Sequence, residues 1–330
     1  VKLLSNDEHF PRLWGLVATN DESTWLTTTG AGITVAVIDT GVAAHPDLGD
    51  RLLPGRTFLN GSSSLGAADD HGHGTHVAGT IAATANNGTG VAGVAPGSRI
   101  LPIKALDATG AGTVGDVAAA VVFAADNGAS VINLSLGAPT QSTALQNATQ
   151  YATSKGALVV AAAGNGGPTA APNYPAADPT DQVIAVAAHD ETSQPATFSQ
   201  DGSYIDVAAP GVRILSTHLA SGYAYMSGTS MATPHVAGIA ALVRAALPEI
   251  SVSQLRTALL NGAVDIHTQG RDTRTGYGRI DAPRALALAT TTPPPTTPPP
   301  TTATPTTTTT PPNTTPKTKR PSTPRPTTAQ

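Results

Sequence analysis

Short, mostly apolar runs that read as buried strands punctuate the chain at residues 33–38, 99–106, 130–135, 157–162, 183–187 and 205–207. The first, Ile33-Thr34-Val35-Ala36-Val37-Ile38, is β-branched and shows no polar alternation. Such a run suits a strand covered on both faces, as in a parallel sheet. Between the runs, apolar residues recur at helical spacing over 73–84, 114–127, 142–154 and 231–247, with shorter helices expected at 252–261 and 282–288. Pro234 is expected in the first turn of the 231–247 helix, where its missing N–H costs nothing. Residues 1–32 read as an irregular arm with one helical turn near 22–26. Strands alternating with helices of this length predict βαβ units: an α/β fold of three layers, α/β/α, with a mainly parallel central sheet. Ligands of such folds bind past the carboxyl ends of the strands. Asp39 and Asn165 are both expected there.

Composition divides the chain in two. Residues 1–288 read as one folded domain, and residues 289–330, almost entirely Thr and Pro, as a disordered stalk or linker of extended character. The whole chain carries 18 basic and 22 acidic residues; four of the basic ones (Lys317, Lys319, Arg320, Arg325) lie in the tail, which leaves 14 − 22 = −8 for the body. An acidic body argues against nucleic acid as a partner, because phosphate binding needs a basic face. With no cysteine, disulfides, thiolate metal sites and a cysteine nucleophile are excluded. No apolar stretch approaches the roughly 20 residues needed to span a bilayer, so a soluble chain without a membrane span is expected. The first residue is Val and no signal-like apolar segment follows it, as expected of a processed or trimmed chain.

Three polar segments carry the chemistry: Val37-Ile38-Asp39-Thr40-Gly41, His71-Gly72-His73-Gly74-Thr75-His76-Val77-Ala78-Gly79, and Gly228-Thr229-Ser230-Met231-Ala232-Thr233-Pro234-His235. A serine hydroxyl is a weak nucleophile until an imidazole takes its proton, and the imidazole needs a carboxylate to hold its tautomer. Asp, His and Ser in that order is one of the known chain orders of such a triad. Other readings stand beside it. Gly-Thr-Ser before a helix is ordinary N-cap chemistry. Asp69, Asp70, His71, His73 and His76 are dense enough for a metal cluster, although no His-Glu-x-x-His is present. Asn165, between Gly164 and Gly166, can donate its amide to a developing oxyanion or serve an Asn-Gly turn. Ser135-Leu136-Gly137 ends a strand with a glycine and offers an edge to an extended peptide.

Together with Ala-Ala-Gly-Asn165-Gly, these motifs resemble those of the subtilisin-like serine peptidases, the subtilase family, over roughly residues 6–288. The resemblance implies catalytic roles for Asp39, His73 and Ser230, an oxyanion role for Asn165, and no catalytic metal. His71 is then a solvated loop residue, and His76 and His235 core residues. Gly110 and Gly112 correspond to one wall of the family's cleft, Ser135, Leu136 and Gly137 to the other, and residues 161–164 with Asn173 to the rest of the pocket. Small uncharged walls imply broad specificity for proteins and peptides with an apolar P1 residue. The arm and one loop look thermitase-like: Asp7, Asp47, Ala85, Asn87, Thr89 and Val91 match ligands of a structural Ca²⁺, for which hard oxygen donors suit. A second, acid-rich cation site is not expected, since Thr57, Asn60 and Ser62 stand where acids would be. The resemblance further implies a secreted monomer made with its own prodomain, absent from this chain, and associated with a cell surface or wall through the stalk if the stalk is an anchor. A catalytically silent, displayed domain is the competing reading. Met231, directly after Ser230, implies sensitivity to peroxide.

Overall fold

A computed structural model describes residues 5–291, so the expected Thr/Pro stalk lies outside the described residues beyond Thr291. Ten strands and eight α-helices are present among the described residues. The strands β1 (Thr34–Asp39), β2 (Arg56–Leu59), β3 (Ser62–Leu65), β4 (Arg99–Lys104), β5 (Val131–Leu134), β6 (Leu158–Ala162), β7 (Val183–His189) and β8 (Val207–Pro210) form one sheet in the order β3-β2-β4-β1-β5-β6-β7-β8. All neighbours are parallel except the β2–β3 hairpin. A separate antiparallel ribbon joins β9 (Ile214–Thr217) to β10 (Tyr223–Met226).

The continuous apolar runs have their physical reason in the two cores. On β1, Val35 and Val37 face one layer, and Ala36 and Ile38 the other; all four are fully buried. The first layer holds α3 (His73–Ala82), α6 (Thr229–Ala246), α7 (Val252–Asn261) and α8 (Ala282–Thr291). The second holds α4 (Val114–Asp126) and α5 (Thr143–Ser154). A fully buried side chain of this size contributes about 1.5–3 kcal/mol, which is why the pattern tolerates no polar alternation.

Three local expectations change. The arm holds two short helices, α1 (Trp14–Thr19) and α2 (Asp21–Trp25), meeting at Asn20 in the left-handed conformation. The strand expected at 205–207 is β8, which starts at Val207 and runs on to Pro210. Pro234 lies in the second turn of α6, since the helix starts at Thr229. A proline there cannot donate to the carbonyl four residues back, and that carbonyl, of Ser230, accepts the Ser135 hydroxyl instead at 2.8 Å.

From β1 the chain reaches β4 on one side and β5 on the other, so Asp39 ends its strand where the winding direction switches. The segments following β5 and β6, which carry Ser135 and Asn165, leave the same edge. Crevices of open α/β sheets form there.

Candidate active site

Asp39 is fully buried at the end of β1. Its Oδ1 accepts the Thr40 N–H at 2.7 Å, and His73 Nδ1 stands 2.8 and 2.9 Å from its two oxygens. His73 is the first residue of α3. Burial works to lower the His73 pKa, but the charge and hydrogen bond of Asp39, with Asp69 adding, lift it above the ordinary imidazole value. An imidazole so held donates Nδ1–H to the carboxylate and keeps Nε2 as the basic nitrogen.

Ser230 is the second residue of α6 and donates Oγ–H to the Ser135 carbonyl at 3.1 Å. It makes no hydrogen bond to His73 in this rotamer. With the Ser135 hydroxyl on the Ser230 carbonyl, the two serines are bonded in both directions. Ser135 and His73 line one cleft of about 480 Å³.

Asn165 follows β6. Its Oδ1 accepts both Thr229 N (2.8 Å) and Thr229 Oγ1 (2.9 Å), which turns Nδ2 outward. A Cβ added at Gly228 would stand 3.3 Å from Asn165 Nδ2, 3.7 Å from its Oδ1 and 3.6 Å from Ser230 N, so the Asn165 amide and the Ser230 backbone N–H lie close together beside Gly228. Both suit a carbonyl oxygen acquiring negative charge.

Gly110, Gly112, Ser135, Leu136 and Gly137 all line the cleft, together with Leu106, Val114, Val117, Leu145 and Tyr174. Asn173 does not. It stands behind Gly137, where an added Cβ would strike its amide, and donates to the Ala162 carbonyl at 3.0 Å. Residues 161–163 are buried and also outside the lining. The apolar lining from α4 and α5 is absent from the expected cleft, although Val114 and Val117, three apart at the start of a helix, are a signal for it. His71 is exposed in its loop, as expected, and also lines the cleft, its ring edge-on to His73 with centroids 6.2 Å apart.

The acidic and histidine cluster around His73 does not converge as a metal site. His76 points into the fold, its Nε2 3.0 Å from the Ile214 carbonyl and 3.1 Å from that of Ala224. Asp70 pairs with Lys104 at 2.6 Å. His235 is a core residue bonded to the Met231 carbonyl at 2.9 Å.

A second polar centre lies at the far end of α3. Asp7 accepts the backbone N–H groups of Asn86 and Asn87, each at 2.9 Å. Asp47 accepts Asn87 Nδ2 at 2.7 Å and Val91 N at 2.8 Å. Both carboxylates are buried, and neither pairs with a Lys or Arg among the described residues. Burial chiefly, with Asp7 adding, raises the Asp47 pKa despite its hydrogen bonds. Two uncompensated carboxylates facing one Asn/Gly/Thr loop suit a hard divalent cation. The ion would take Asp7, Asp47 and loop oxygens once the Asn87 amide turned its oxygen inward. Thr57, Asn60 and Ser62 sit on the β2–β3 hairpin, where the Thr57 hydroxyl is spent on the Gly66 carbonyl.

This three-layer fold, with an Asp-bound imidazole, a serine at a helix start and two neighbouring N–H donors at the sheet's carboxyl edge, defines a serine-type hydrolase. Residues 30–278 match the model of the subtilase family, and the chain belongs to that family. It is 45% identical over 283 residues to thermitase of Thermoactinomyces vulgaris, covering 85% of this chain and 98% of that protein. It is 46% identical over 275 residues to a thermophilic serine proteinase of Bacillus sp. (strain AK1), spanning 83% of this chain and 66% of the relative. To subtilisin Savinase of Lederbergia lenta the identity is 47% over 257 residues, 78% of this chain and 91% of the relative. A solved protease of Pseudoalteromonas arctica PAMC 21717 superposes with a TM-score of 0.81 at 34% identity, covering 87% of this chain and 99% of that one. Membership makes the chain a serine-type endopeptidase.

Proposed function

We propose that this chain hydrolyses peptide bonds of proteins through an acyl-enzyme on Ser230. The Asp39–His73 contact of 2.8 Å carries the reading, because it supplies a base of the correct tautomer at the sheet edge where the serine stands. Ser230 Oγ turns from the Ser135 carbonyl toward His73 Nε2 and attacks the scissile carbonyl as the ring takes its proton. Asn165 Nδ2 and Ser230 N receive the oxyanion. The imidazolium then protonates the leaving amine, and water repeats the sequence to release the acid. The freed Ser135 carbonyl accepts a substrate N–H, so the peptide pairs with residues 135–137 as an added strand. The apolar lining favours broad cleavage after apolar residues.

Ca²⁺ in the 85–91 loop is the structural cofactor we infer, with Asp7, Asp47 and oxygens of Ala85, Asn87, Thr89 and Val91 as its ligands. No helix among the described residues is long and apolar enough to cross a membrane. We further propose a secreted monomer matured from its own prodomain, with the catalytic domain expected to end at 288 extended to the end of α8 at Thr291, where Ala289 is buried, and the remainder of the 289–330 tail as a stalk.

A fluorophosphonate probe tests the centre directly. Covalent labelling is expected at Ser230 and lost in Ser230→Ala. Folded wild-type protein that takes no label would instead support the silent, displayed domain.

A further inference from the structure

The Asp69 side chain has no place in the chemistry above, yet it is the most heavily bonded carboxylate near the site. Its Oδ1 accepts Thr40 Oγ1 at 2.8 Å and the N–H groups of His71 and Gly72, both at 2.9 Å. Its Oδ2 accepts Thr75 N at 2.9 Å and Thr75 Oγ1 at 2.6 Å. The two hydroxyls extend the network, since Thr40 Oγ1 accepts Gly74 N at 3.0 Å and Thr75 Oγ1 accepts Ala43 N at 2.9 Å.

Local sequence explains the demand. The cap of α3 is Gly72, at φ +100°, a conformation that favours glycine, and it has no side chain to bond the free N–H groups of the first turn. Asp69 reaches back and supplies that function from outside the helix. Through Thr40 it also grips the residue following Asp39. One carboxylate therefore ties the strand that carries the acid to the helix that carries the imidazole.

Its charge is also uncompensated. Lys104 is committed to Asp70 at 2.6 Å and to the Thr40 carbonyl at 2.9 Å, and Asp69 has no ion pair with a Lys or Arg among the described residues. Burial would raise the Asp69 pKa, but the hydrogen bonds from Gly72, Thr75 and His71 outweigh it and hold the group below the usual carboxylate range.

We propose that Asp69 is a positioning residue for the Asp39–His73 pair and a second negative charge supporting the imidazolium that forms as Ser230 attacks. The inference rests on the triad reading above. The other titratable groups facing His73 are Asp39 from β1, the Asp70–Lys104 pair, His71 edge-on, His76 on its own helix, and His218 from the β9–β10 connection, whose ring occupies the space beside Gly72. Both Asp69 oxygens are taken up by N–H and O–H groups of Thr40, His71, Gly72 and Thr75, so its contacts are with the loop and helix that hold His73.

The test is the pH profile of kcat and kcat/KM in Asp69→Asn, with His71→Asn and His218→Asn profiles as controls that the acid limb belongs to His73. Loss of the charge is expected to move that limb to lower pH by about half a unit. Loosening of the pair is expected to lower kcat about tenfold, with KM within about twofold. Asp69→Glu keeps the charge but spoils the geometry, so its kcat should fall with the limb unmoved. That variant also decides the matter if Asp69→Asn does not fold: a limb displaced in Asp69→Glu overturns the electrostatic role. Ser230→Ala and His73→Ala must both abolish turnover; if either remains active, the triad reading itself fails. If both are inactive while Asp69→Asn matches wild type in kcat and pH profile, only the role of Asp69 is overturned.

Discussion

Thr229 sets which end of the Asn165 amide is left free, because its N–H and hydroxyl both hold Oδ1. The same hydroxyl accepts Gly164 N at 3.1 Å, so the loop before Asn165 is pinned too. Asn165→Ala is expected to lower kcat by about 10²–10³, the known cost of removing the oxyanion asparagine from a subtilisin. Thr229→Val removes one of the two holds and should lower kcat by a smaller factor, about tenfold, with KM little changed. Steady-state kinetics on both variants checks the order, and an unchanged kcat with raised KM in Thr229→Val would place Thr229 in binding instead. At this scale the sequence made legible what is framed by glycines at element ends: Asp39, His73, Asn165 and Ser230. Thr229 and the Asp69–Thr40 tie escaped because the partners lie 64 and 29 residues apart. Partnership at that distance is a property of packing, not of pattern.

Elements followed the same division. Long buried runs announced β1, β4, β5, β6 and β7, since the few polar side chains buried in them, Asp39, Lys104, Asn133 and His189, are exceptions among apolar neighbours. The exposed Ser62–Leu65 strand and the β9–β10 ribbon gave no such signal; β3 is exposed at every position and is held by pairing alone. The 85–91 loop, which follows α3 and precedes β4, is the element whose order depends most on the inferred ion. A ligand that binds only the folded state at 100 times its Kd adds about 2.7 kcal/mol of stability. Restoring Ca²⁺ to chelated Ser230→Ala protein at that excess should therefore raise Tm by about 4–5 °C, with no such rise in Asp47→Ala. The inactive background keeps self-digestion out of the measurement. Identical Tm with and without the ion would remove calcium from the proposal.

The whole molecule is held at neutral pH partly by three histidines buried without charge. His76 and His189 are fully buried and His235 is 2% exposed. Burial, outweighing their hydrogen bonds to carbonyls, pushes each from the ordinary 6.5 down to a pKa of about 4. The unfolded chain therefore binds these protons first. Their contribution is fully present above pH 6.5 and is lost as pH falls toward 4, by at most on the order of 3 kcal/mol per histidine. Together they make stability fall by up to about 4 kcal/mol per pH unit inside that window. Most carboxylates are still ionised in its upper part, so acid unfolding should begin there, before ordinary carboxylate titration. Denaturant unfolding of Ser230→Ala between pH 6.5 and 4.5 measures the slope. Adding His76→Gln, which can still donate to the Ile214 and Ala224 carbonyls but does not titrate, should flatten the slope by about one third, the share of one group among three. An unaltered slope in that variant would mean that His76 does not titrate differently in the folded and unfolded states, and the acid response would then belong to other groups.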